Sequence, residues 1–164
     1  MHNIEFSAMP SSARVWVFGA AAPITGAACD TLMNAVDAHL AHWTAHGAPL
    51  MCARDWRDDQ FLAVAVDEAA TGASGCSIDG LFRVLTRVEQ QLGASMLDGG
   101  TVFWRDPNGH VQSSNRATFK SQAAAGAIGP DTLVFDTMVE SVGAWRERFE
   151  GAARHTWHAR LIGL

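Results

Sequence analysis

The chain has no tyrosine and only one lysine, Lys120. It also lacks a C-x-x-C pair, an excess of positive charge, and any apolar run approaching the ~18 residues of a spanning helix. Each absence excludes a class of function. Lys and Arg total 12 against 17 Asp and Glu, a net charge of −5. Nucleic-acid binding draws on a basic stripe for phosphate contacts, so nucleic acid is not expected as a partner. The missing apolar run argues against a membrane partner. The opening M-H-N-I-E-F-S-A-M-P has no basic-then-apolar order of a secretion signal, so a soluble cytoplasmic protein is expected. The three cysteines, Cys29, Cys52 and Cys76, are odd in number and lack zinc-knuckle spacing. Neither a disulfide framework nor a metal site is indicated, and each defaults to a small buried hydrophobe. No cofactor is expected.

What is present suits one globular domain. The 164 residues are 48% hydrophobic and include six Trp and eight Phe, enough to build a core. Residues 1–12 are mixed in character and are expected to form a loose arm before a single domain over 13–164. R-V-W-V-F at 14–18 reads as a strand. Leu32, Val36, Leu40 and Trp43 recur at helical spacing, so a helix is predicted from Thr25 to His46, stopped by Gly47 and Pro49. The runs 50–56 and 61–66, joined by R-D-D-Q, predict a hairpin. The second run, F-L-A-V-A-V, is apolar throughout, as in a central strand covered on both faces.

Ile78, Leu81, Leu85, Val88 and Leu92 then mark the clearest helix, with Gly93 closing it. The turn D-P-N-G at 106–109 joins the strands 101–105 and 110–114. A short helix near 117–125, a strand over 132–135 and a helix over 140–150 follow. The order predicts an α+β fold: five or six strands in a mixed or antiparallel sheet, with three or four helices packed mainly on one face.

The stretch D-E-A-A-T-G-A-S-G-C-S-I-D-G, 67–80, holds the candidate site. Cys76 stands where the clearest helix begins, and the positive end of the helix favours a thiolate there. Ser74, Gly75, Ser77 and Asp79 are the candidate ligand-binding residues, with serine hydroxyls and a glycine that lets a ligand approach the backbone. Asp79 opposes a bound anion or a thiolate, because its own charge complements the same helix end. The plainer alternative is helix capping by Ser74 or Ser77, with Cys76 packed inward. Asp67 and Glu68 end the apolar strand and are candidate catalytic carboxylates. His158, in T-W-H, is the candidate base if the closing segment folds back over the sheet. His39, His42 and His46 share one side of the first helix, but no acidic partner stands between His42 and His46 as in H-E-x-x-H, so a polar flank is the preferred reading.

R-V-W-V-F, W-T-A-H-G-A-P-L at 43–50, V-D-E at 66–68, S-G-C-S-I-D at 74–79, T-L-V-F-D at 132–136 and T-W-H at 156–158 together resemble a family of bacterial proteins of about this length. Some of its members carry the label "ABC transporter ATPase". That label implies a P-loop, G-x-x-x-x-G-K-[ST], whose glycine backbone and lysine hold phosphate. The single lysine here stands in A-T-F-K-S-Q without a glycine loop, so ATPase activity is not expected. Three functions stay open. The leading one is an unidentified small-molecule or protein-partner site at 74–79. The second is a cysteine enzyme using Cys76, His158 and Asp67 or Glu68. The third is a structural subunit of a larger assembly, with a homo-oligomer as one form.

Overall fold

The structure is a computed structural model that describes residues 4–45, 47–71 and 78–164. It is a single α+β domain, as the pattern predicts, and the strands divide between two antiparallel sheets. The first sheet has the order β1 (Arg14–Gly19), β5 (Phe61–Asp67), β4 (Met51–Arg57). Two short strands, β2 (Thr44–Ala45) and β3 (Ala48–Pro49), form a ribbon between the first helix and β4. The second sheet has the order β7 (Val111–Asn115), β6 (Thr101–Arg105), β8 (Leu133–Phe135), β9 (Glu150–Ala152).

The all-apolar β5 explains how the layers assemble. Phe61 through Val66 have no exposed surface, so both faces of this strand are covered. Leu62, Val64 and Val66 face a cluster completed by α1 (Gly26–Ala41) and α3 (Asp79–Leu92). The first of these helices contributes Leu32, Val36 and Leu40, and the second Leu81, Leu85 and Val88. Phe61, Ala63 and Ala65 face the opposite way, where Phe103 and Phe135 of the second sheet meet them. The Phe61 ring lies 5.1 Å from that of Phe103 and 4.7 Å from that of Phe135, so aromatic packing joins the sheets. The far face of the second sheet carries Val102, Trp104 and Val134 against Phe119 of α4 (Arg116–Ala124) and residues 153–162.

Helices therefore cover both outer sides rather than mainly one. A further helix, α5 (Val142–Arg148), enters the middle layer with Val142, Ala144 and Trp145. The reason is the second sheet itself: its apolar outer face must also be buried, and α4 does this.

Two boundaries differ from expectation. The first helix ends at Ala41, and His46 lies outside the described residues. After Ala41 the chain drops the Trp43 ring into the core, and the Leu50 amide donates to the Trp43 carbonyl at 3.0 Å, closing the β2–β3 reversal. The arm is not loose over residues 4–12. Met9 is only 2% exposed, the Ile4 amide donates to the Cys52 carbonyl at 3.2 Å, and Phe6 meets the Trp145 ring edge-on. Arg146 donates to the carbonyls of Phe6, Ser7 and Met9, which fixes the arm's path.

An ionic cluster clasps the two sheets at one end. Arg105 on β6 donates to Glu150 on β9 at 2.7 Å and to Asp58 in the β4–β5 turn at 3.3 Å. Arg57 bonds both of the same carboxylates.

Candidate functional site

The region where β5 ends and α3 begins is framed by described residues on both sides. Ser74, Gly75, Cys76 and Ser77 themselves lie outside the described residues. Asp67 closes β5, and its carboxylate accepts the Ala69 amide at 3.1 Å, starting the one-turn helix α2 (Glu68–Thr71). Glu68 meets Arg14 of β1 at 3.7 Å. On the other side, Ile78 occupies the N-cap position of α3 without a side-chain cap, and Asp79 is exposed in the first turn.

A chain of ring contacts connects these sides. The Arg14 guanidinium lies 4.6 Å over Trp16, and Trp16 lies 6.2 Å from Trp43. Trp43 in turn lies 5.2 Å from His39, whose imidazole reaches α3. A Cβ placed on Gly80 would sit 2.8 Å from His39 Cε1 and 3.5 Å from Nε2. Glycine is thus required at 80 for the imidazole to approach the start of α3 this closely. His39 Nε2 is buried and has no hydrogen-bond partner among the described residues. Burial lowers the His39 pKa, so the ring is neutral near pH 7.

The structure brings Asp67 and Glu68 together at the end of β5, with Asp79 opening the neighbouring helix. It does not bring His158 to them, which corrects the expectation of a base at that corner. His158 is fully buried on the outer side of the second sheet, stacked 3.8 Å from Trp157 and 6.0 Å from Phe119. Its Nδ1 lies 2.8 Å from the Thr156 hydroxyl. The closing segment buries its apolar residues over α4 and β6, which draws His158 away from the first sheet.

The histidine that lies against the start of α3 is His39. Its signal was in the sequence: it falls on the inward stripe of α1, three residues after Val36 and four before Trp43. Gly80 was a second signal, because a glycine inside a helix costs stability and implies a close neighbour. His42 points outward, its Nδ1 3.1 Å from the Ala38 carbonyl of its own helix. The first helix therefore does not direct its histidines to one point.

The other thiols lie elsewhere. Cys52 is buried in the first core cluster, and burial pushes its pKa up to about 11. Cys29 is partly buried on α1, and its pKa is raised by burial and by Asp30 and Asp59.

Among protein families, curated proteins and solved structures, none matches this chain.

Proposed function

We propose that this chain is a small-ligand- or partner-binding domain whose site is the corner where β5 ends and α3 begins. Ser74, Gly75, Ser77 and Asp79 are the ligand-binding residues proposed from the sequence, and His39 of α1 is added to them because it reaches the start of α3 at Gly80. The reading rests on His39. A buried ring nitrogen without a partner among the described residues forgoes a hydrogen bond worth about 1 kcal/mol or more, and a ligand at the corner would restore it.

The charge around the corner narrows the ligand. Asp79 occupies the helix end that an anion would use, Asp67 adds a carboxylate at the end of β5, Glu68 is paired with Arg14, and His39 is neutral. This balance favours a neutral or cationic polar molecule over a phosphate. A thermal-shift screen of nucleosides and amines against phosphosugars and dicarboxylates tests it. A shift from the first group, lost in His39→Gln and in Gly80→Ala, is the expected result. A shift confined to the anions, or one that His39→Gln leaves intact, would overturn the proposal.

His39 also favours a second reading. A cysteine enzyme at this corner, with Cys76 as nucleophile, would draw on His39 for its base instead of the sealed His158.

A further inference from the structure

His158 is a fully buried ionisable side chain, and the proposed function does not use it. Its Nε2 is buried and without a hydrogen-bond partner among the described residues, while aromatic rings from Trp157 and Phe119 pack around the imidazole. The segment that carries it is held in an unusual way. Ala153 and Arg154 donate backbone bonds to the Thr132 and Pro130 carbonyls. From residue 155 onward, the segment's backbone hydrogen bonds close on the segment itself, as in Ala159 to Thr156 and Ile162 to Ala159. Among the described residues, side chains then fasten it to the body. Trp157 Nε1 donates to Asp136 at 3.0 Å, Leu161 and Ile162 pack on the outer cluster, and His158 is buried among them.

We propose that residues 155–164 form an acid-released latch over the outer face of the second sheet, hinged at Ala153 and Arg154, with His158 as its pin. A proton on Nε2 would place a cation in an aromatic pocket with no acceptor for its new N–H. The charged groups facing this pocket are Asp136, beyond β8, and Arg116, on α4. Arg116 lies 5.4 Å over the Trp157 ring and disfavours a second cation, whereas Asp136, which accepts the Trp157 N–H, favours one but is outweighed by burial. Lys120 on α4, and Arg154, His155 and Arg160 on the segment, are exposed to solvent. Opening would uncover Val102, Trp104, Phe119 and Val134.

The direction with pH follows from linkage. Burial pushes the His158 pKa down from 6.5 to about 4 in the closed state, whereas the opened segment has an ordinary imidazole. The open state binds the extra proton between those values, so the latch is held most firmly above pH 6.5 and weakens as pH falls toward 4. Its opening constant should rise about tenfold per pH unit across that window.

Hydrogen exchange on the whole chain at pH 7, 6 and 5, corrected for intrinsic rates, reads this constant directly. The amides of residues 155–164 should lose protection about tenfold between pH 6 and 5 while β5 keeps its own. His158→Gln and His158→Phe should abolish the pH dependence. Equal loss across β5, no loss in the segment, or the same slope in the variants would overturn the latch. An NMR titration of the His158 ring in the unaltered protein gives a check that needs no variant. A ring that titrates with an ordinary midpoint while the segment stays protected would also overturn it.

Discussion

The ring of Phe103 occupies the space where Gly19 would carry a side chain: a Cβ there would lie 2.5 Å from the ring's Cζ. Gly19 ends β1 opposite Phe61, and Phe103 belongs to β6, so this contact is one of the points where the two sheets touch. Gly19→Ala should force the sheets apart or turn the ring, at a cost of about 1–3 kcal/mol. Denaturant unfolding measures it. A change below a few tenths would mean that the sheets adjust freely, contrary to the close packing around Phe61.

Met9 makes the arm part of the core. Met9→Ala should destabilise the protein by about 2–4 kcal/mol, because the side chain is buried among Val142, Ala144 and Trp145. A loose arm would give no effect in the same unfolding experiment.

The β4–β5 turn holds two aspartates in the left-handed region, Asp58 at φ 55° and Asp59 at φ 54°. Asp58 bonds Arg57 and Arg105, whereas Asp59 contributes its backbone carbonyl to Ile24. Asp59→Gly should therefore raise stability by about 0.5–1 kcal/mol, since glycine adopts this conformation without a Cβ penalty. Asp58→Gly should lower it instead, because the clasp between the sheets is lost. The melting temperatures of the two variants should move in opposite directions.

Thiol chemistry separates binding from catalysis at the corner. At pH 6 a mild alkylating agent should leave Cys52 untouched, because it is buried and its pKa is pushed up to about 11. Cys29, with a raised pKa, should react slowly. Fast labelling of Cys76, slowed in His39→Gln, is the expectation of the enzyme reading. Labelling of Cys76 at the rate of free cysteine would remove that reading and leave binding.

The long periodic segments were legible because their physics is local. The spacing of Leu81, Leu85 and Val88 and the φ of 63° at Gly93 required only the helix itself. The same holds for the D-P-N-G turn, where Asp106 accepts the amides of Asn108 and His110. The apolar β5 showed correctly that both its faces are covered. It did not show that one cover is a second sheet, because Phe103 and Phe135 are distant in sequence and identical in pattern to residues under a helix. Of the candidate site, the strand end at Asp67 and the helix start at Asp79 were legible from composition and periodicity, but His158 was chosen by its T-W-H neighbourhood, and neighbourhood along the chain does not report which layer a residue enters.

The sequence alone determined the fold class, the helix over 79–92, the two hairpins and the apolar centre, because propensity, turn chemistry and periodicity act within a few residues. Tertiary structure decided how the strands divide between the sheets, that the arm docks, and that His39 meets Gly80 while His158 is sealed behind the second sheet. Those outcomes depend on which apolar faces find each other across the whole chain, and burial is settled by that competition and not by any single segment.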